Sequence, residues 1–315
     1  MKKLLFIVLV AIMLCSCGNN NEAVTVKIAE GESVSIIAQT LKDNGLINSK
    51  LLFKLKVDDT DGYLKPGQYT IKKGTSQKEI IAILKAGVSE NVPVTIPEGY
   101  SVEMIAKTLE DAGVCSQNEF LDACNKTDYD FDFLKGINPK GNYKLQGFLY
   151  PNTYYFTLNM QAEQVVKIML SEFQKQITYN GVTTENLYKK VTVASLLQRE
   201  AKVQSEKPTI AGVIYNRLKI DMLLQIDASV VYGVTDGMYD ITAVYNSHLK
   251  SNSPYNLYKF KGLPPGPISN PDIQSIVAAQ NPQSHDYLYY RTDENKKDGT
   301  HIFTKTFNEH LNANN

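Results

Sequence analysis

VKIAEGESVSIIAQTLKDNG at residues 26–45 and VTIPEGYSVEMIAKTLEDAG at residues 94–113 are two copies of one pattern, identical at twelve of twenty positions. Self-similarity of this density at a fixed offset marks a duplicated supersecondary unit. Each copy opens with alternating apolar residues, Val26 and Ile28 or Val94 and Ile96, as a half-buried strand does. Gly31 or Gly99 supplies a turn, and Ser33 or Ser101 stands where a helix N-cap belongs. Ile37, Ala38 and Leu41, matched by Ile105, Ala106 and Leu109, recur at helical spacing until Gly45 or Gly113 ends the helix. A weaker third copy runs through Tyr69, Ile71, Gly74, Ser76, Ile80, Leu84 and Gly87.

Strand–turn–helix units of this size resemble the LysM-like fold, whose members often bind cell-wall glycan. The pattern by itself is equally compatible with packing or dimerisation, because repeat architecture does not fix a ligand. Residues 131–155 are rich in Gly, Pro, Asn and Tyr and read as turns and short strands. Helical periodicity follows over 162–178, 184–202 and 207–218; strand and loop come beyond Asp221, then a short helix over 273–279 and a strand pair near 287–291 and 301–304. The expected fold class is α+β. It comprises a small LysM-like βα domain at 26–92, the second repeat copy as an inter-domain region at 93–130, and a larger mixed α+β domain at 131–315.

The 315 residues hold 33 basic and 33 acidic side chains, a formal net charge of zero, so no global basic field favours nucleic acid. His248, His285, His301 and His310 are scattered without a CxxC or HExxH partner, and neither a metal nor another cofactor is expected. At the N-terminus Lys2 and Lys3 precede the unbroken apolar run Leu4 to Leu14, too short to span about 30 Å of hydrocarbon as a helix. Leu14-Cys15-Ser16-Cys17-Gly18 resembles a bacterial lipobox with Cys17 as the lipidated residue; a short uncleaved membrane anchor is the alternative. Residues 1–17 are then a signal or anchor and 18–25 a polar tether, with the body of the protein outside the cytoplasm. Cys115 and Cys124 either form a disulfide or pack as small apolar groups.

Around Ala194 to Ala201 a carboxylate falls on an apolar helical stripe. At about 100° per residue, Glu200 lies within about 60° of Val193, Leu196, Leu197 and Val203, while Gln198, Arg199 and Lys202 point to the opposite, solvated side. Burying an unpaired carboxylate raises its pKa, the tuning a general acid at neutral pH needs; a structural hydrogen-bond hub is the competing reading. Asn216 and Arg217, then Gln225 and Asp227 on one side of an extended segment, supply polar groups for a cleft. Gly262 to Pro267 is a stiff loop. Tyr245, Tyr255, Tyr258, Tyr287, Tyr289 and Tyr290 offer flat faces suited to sugar rings.

Leu145 to Tyr154, Ala194 to Glu200, Ile210 to Gly233, Gly262 to Pro271, Asp286 to Tyr289 and His301 to Phe303 resemble, in order and spacing, the endolytic murein transglycosylase family. The resemblance implies a membrane-attached lyase that cuts peptidoglycan strands internally, with the wall-synthesis machinery nearby. It puts the catalytic glutamate at Glu200; relatives often carry a second acid where this chain has Gln198. Other departures are Gln146 for Glu, Asn152 for Asp, Ile226-Asp227-Ala228 for Ser-Asp-Pro, and Thr300 for Gly. The resemblance further implies a 1,6-anhydro product; Asn216, Arg217, Gln225, Asp227, Tyr255, Asn256, Tyr289 and His301 are the candidate substrate-binding residues. A two-carboxylate muramidase using Glu200 and Asp227, and a non-catalytic wall-binding lipoprotein, are the alternatives.

Overall fold

A computed structural model describes residues 22–58, 63–87, 91–126, 128–241 and 243–314. The apolar run at 4–14, Cys17 and residues 18–21 of the tether lie outside the described residues, and residues 23–25, read as tether, belong to a strand, because they pair with the strand that ends at Lys72. The chain divides into two compact units, residues 1–90 and 91–315.

In the first unit β1 (Ala23–Ile28) leads to α1 (Val34–Asp43), α2 (Lys50–Asp58), β2 (Gly67–Lys72) and α3 (Gln77–Ala86). Ser33 and Ser76 cap α1 and α3 by accepting from Ile36 N and Glu79 N, as their positions predict. β1 and β2 pair antiparallel with Thr25 opposite Thr70, and the two hydroxyls bond at 3.0 Å. Inward residues of the sheet (Val26, Ile28, Tyr69, Ile71) meet the apolar faces of the helices (Ile37, Leu41, Phe53, Ile80, Leu84) in one core.

The second unit begins the same way. β3 (Asn91–Ile96), α4 (Val102–Asp111), α5 (Gln117–Cys124), β4 (Asn152–Thr157) and α6 (Ala162–Tyr179) repeat the order of the first. β3 and β4 pair antiparallel in the equivalent register, Pro93 opposite Tyr155 where the first unit has Thr25 opposite Thr70, and a threonine pair, Thr95 and Thr153 at 2.9 Å, stands two residues further along. Tyr69 donates to Lys65 O at 2.6 Å and Tyr154 to Tyr150 O at 2.5 Å, the same bond four residues back. The duplication therefore includes the second strand: Leu64, Pro66, Tyr69 and Ile71 answer to Leu149, Pro151, Tyr154 and Phe156. The insertion between α5 and β4 hides this from a search at one constant offset. It also corrects the reading of 93–130 as an inter-domain region, since Val94, Ile105, Leu109 and Phe120 lie in one core with Phe148, Phe173 and Leu196.

Then follow α7 (Leu187–Glu200), α8 (Lys207–Lys219), α9 (Asp227–Thr235), α10 (Asn246–Leu249), α11 (Ile273–Gln280), β5 (Tyr289–Thr292), β6 (His301–Thr304) and α12 (Phe307–Leu311). Among the described residues three two-stranded antiparallel sheets lie among helices, and the chain is α+β. Every residue from Val191 to Leu197 is buried, because α7 is enclosed by α8, α9 and α11. This corrects the one-sided stripe. α7 stops at Glu200, since Ala201 turns extended, so Val203 and Lys202 belong to no helical face. Gln198 is not on a solvated side either: its Oε1 accepts from Asp272 N at 3.1 Å and Ser275 Oγ at 2.9 Å. The segment read as extended around Asp227 is the start of α9, preceded by Gln225 at φ 52°.

Loops are held by side chains. Asn270, fully buried, accepts from Gly147 N and Leu149 N at 2.9 Å and donates to Tyr100 O at 3.0 Å. Gly147 has φ +92°, and a Cβ there would meet Val191 and Pro267 at 2.6–2.7 Å, so this turn requires glycine. Cys115 and Cys124 are both free and buried.

Candidate active site

A cleft of 620 Å³ in the second unit is lined by the ends of several elements. Glu200 enters from the C-terminal end of α7, Arg217 from α8, Gln225 and Asp227 from the start of α9, Tyr258 from the following loop, Tyr289, Tyr290 and Arg291 from β5, His301 from β6, and Phe307 and His310 from α12. Residues more than a hundred positions apart thus meet through the β5–β6 hairpin, in which Tyr290 pairs with Phe303 and Thr292 with His301.

Glu200 is partly buried, and desolvation is the largest reason its carboxyl stands above the ordinary value; the Asp227 charge adds to this. Its place at a helix C-terminus, the negative end of the macrodipole, acts in the same direction. Opposing contacts are the Tyr290 hydroxyl, which donates to Oε2 at 3.0 Å, then His301 and the Ala228 amide. Asp227 is held by the Tyr258 hydroxyl at 2.5 Å. Glu206 accepts from His301 N at 3.0 Å and contacts its Nδ1 at 2.7 Å, fixing the imidazole in the wall. The arrangement offers one carboxyl biased toward protonation beside a second, exposed carboxylate, with a hydroxyl and an imidazole in support.

Of the residues expected at the site, Glu200, Arg217, Gln225, Asp227, Tyr289 and His301 line this cleft. Asn216, Tyr255 and Asn256 do not; the scaffold uses them. Asn216 Nδ2 donates to His285 O at 2.7 Å and Tyr287 O at 3.0 Å, tying α8 to the approach of β5. Tyr255 is 2% exposed and packs edge-on against Tyr232. Asn256 is buried and closes its own loop through Leu249 O and Ser251 O. Cys17 lies outside the described residues. Arg291, Phe307, His310 and Glu206 were not anticipated, because nothing local in the sequence links them to Glu200. Among the described residues no group of three or more His, Cys, Asp or Glu is placed to hold a metal ion, and no helix is long and apolar enough to cross a membrane.

The chain is 33% identical over 312 residues to the endolytic murein transglycosylase of Bacillus subtilis (strain 168), covering 94% of this chain and 85% of the relative. It is 30% identical over 305 residues to the endolytic murein transglycosylase of Streptococcus pneumoniae serotype 2 (strain D39), spanning 87% of this chain and 55% of that relative's length. A crystal structure of a yceG-like protein from Listeria monocytogenes superposes with a TM-score of 0.59 at 30% identity, covering 93% of this chain and 99% of the other. With the YceG-like family model matching residues 26–315, the chain belongs to the YceG-like family.

Proposed function

We propose that Glu200 is the acid–base group of a peptidoglycan lytic transglycosylase. Two relatives that match most of this chain carry the name endolytic murein transglycosylase, and with them the chain is a lytic transglycosylase, a lyase acting on peptidoglycan. The observation that carries the role of Glu200 is its burial at the C-terminus of α7, which favours the protonated acid, together with the Tyr290 hydroxyl that steadies it once ionised. Protonated Glu200 donates to the glycosidic oxygen between MurNAc and GlcNAc as the C1–O bond breaks. The resulting carboxylate takes the proton of the MurNAc C6 hydroxyl, whose oxygen closes on C1 to give a 1,6-anhydro end. Water is not consumed, so no second carboxylate is needed to activate it. The nucleophile is already part of the substrate, which gives the effective-molarity advantage of an intramolecular reaction. Asp227, restrained by Tyr258, faces the developing positive charge of the oxocarbenium-like state, and Gln225, Tyr289 and His301 orient the sugars.

In this reading the apolar N-terminus, lipidated at Cys17 or inserted as it stands, keeps the enzyme at the membrane, where it trims or ends nascent strands beside the synthetic machinery. The first unit's LysM-like resemblance assigns it a glycan-holding part. Glu200→Gln tests the chemistry: a folded variant that digests peptidoglycan at the native rate removes Glu200 from the role. Mass spectrometry of wild-type digests separates the mechanisms. Ends one water lighter than reducing ends support the lytic route, reducing ends select a muramidase using Glu200 and Asp227, and binding without release selects a wall-binding protein.

A further inference from the structure

The cleft holds both carboxyl groups and basic groups: Glu200 and Asp227 line it together with Arg217, Arg291 and His310. Arg217 is 7% exposed, yet it forms no ion pair with a carboxylate among the described residues. Its Nε donates to Leu288 O at 2.5 Å and its Nη1 to Leu223 O and Leu224 O at 3.1 and 2.7 Å, all neutral acceptors. Among the described residues the remaining Nη2 has no hydrogen-bond partner. A buried guanidinium is ordinarily matched by an anion, because desolvation without a counter-charge is unfavourable.

Arg217 has basic neighbours around Tyr289. Arg217 lies 5.1 Å over the Tyr289 ring, and the His310 ring stacks on the same tyrosine at 5.3 Å. Arg291 reaches His310 O with Nη1 at 3.5 Å, and among the described residues its Nη2 has only the exposed Glu294 at 3.8 Å. His310 Nδ1 is shielded and unpartnered among the described residues. Burial, then Arg291 and Arg217, push the imidazole below its ordinary pKa, so it supplies a neutral ring nitrogen beside two fixed cations.

We propose that Arg217, Arg291 and His310 form an anion subsite that takes a carboxylate carried by the glycan strand, while bond cleavage takes place at Glu200 in the same cleft. Two carboxylates on peptidoglycan have the required chemistry: the lactyl group of a muramic acid freed of its peptide, and the acidic groups of a stem peptide still attached. Arg217 supplies a buried charge held in place by three carbonyls, and Arg291, 35% exposed, supplies the fork that meets the incoming group. This inference rests on the lytic reading for its substrate, and its test is therefore a binding experiment without turnover.

The experiment uses the full chain carrying Glu200→Gln and three soluble strand preparations: one with stem peptides intact, one stripped by an amidase so that each lactyl group ends in a free carboxylate, and the stripped strands with those carboxylates converted to amides. The amidated strands are expected to bind about 10-fold or more weakly than the better of the two carboxylate-bearing preparations, and which of those two is better identifies the source of the anion. Adding Arg291→Gln should weaken binding to that preparation by a similar factor and leave binding to the amidated strands unchanged, with Arg291→Lys keeping part of the difference. Equal affinity for all three preparations, or an Arg291→Gln effect of the same size on amidated strands, overturns the subsite. A wild-type digest lacking anhydro ends would instead overturn the lytic reading and leave this comparison standing.

Discussion

Replacing Glu103 by Gln should stabilise the second unit at alkaline pH and leave it nearly unchanged in acid. Glu103 is 9% exposed, and both carboxylate oxygens are buried without a hydrogen-bond partner among the described residues. It packs where a Cβ at Gly237 would lie 2.8 Å from Oε2 and 2.6 Å from the Tyr232 ring. Burial pushes its pKa from the ordinary 4.5 up to about 7, and Asp236 adds to the rise. The Glu103 backbone amide, then the Ser101 hydroxyl, lie close enough to favour a carboxylate though not in hydrogen-bonding geometry with it, and offset only part of this. Because the folded value is the higher one, the native state holds its proton more tightly than the unfolded chain, and stability falls as pH rises from about 4.5 to about 7. At about 1.4 kcal/mol per pH unit, that interval corresponds to roughly 3 kcal/mol at pH 8 and almost nothing at pH 4. A unit of this size shifts about 2–4 °C per kcal/mol, so the variant should melt about 6–12 °C higher than wild type at pH 8. Thermal unfolding of the full chain followed by circular dichroism from pH 4 to pH 8 reads the difference directly. Parallel curves for variant and wild type across that range would refute the reasoning.

Two further changes probe the site and its support. Tyr290→Phe removes the donor at 3.0 Å from Glu200 Oε2; losing a contact that favours the carboxylate should move the alkaline limb of the pH–rate profile upward by less than about one pH unit, and a downward movement would contradict the assignment. Lys207→Ala leaves Asp272 as a buried charge without its partner at 2.7 Å, which should cost about 3–5 kcal/mol, measurable as a lower urea midpoint.

Several features of this protein follow from local sequence because the interactions that create them are local. Ser33, Ser76 and Ser101 each cap the helix they precede, and the alternating Val and Ile of β1 and β3 form strands, since capping and periodicity involve residues a few positions apart. The position of Glu200 among apolar residues likewise singles it out before any fold is known. Its surroundings did not follow in the same way. The stripe reasoning placed Gln198 in solvent, whereas α7 is enclosed by three helices, an environment its own periodicity cannot encode.

The same limit separates residues that looked alike in the sequence. Asn216 and Arg217 are adjacent, but one ties α8 to the segment leading into β5 while the other lines the cleft. Tyr255 and Tyr258 are three residues apart, one in the core and the other holding Asp227. What the chain determined by itself is the duplicated strand–turn–helix unit, its capped helices and a carboxylate set on an apolar helix. Only tertiary structure decided which hydroxyl reaches that carboxylate and which cations share its cleft. The reason is that Tyr290 meets Glu200 across 90 residues of chain, through the register of a hairpin that local propensity does not specify.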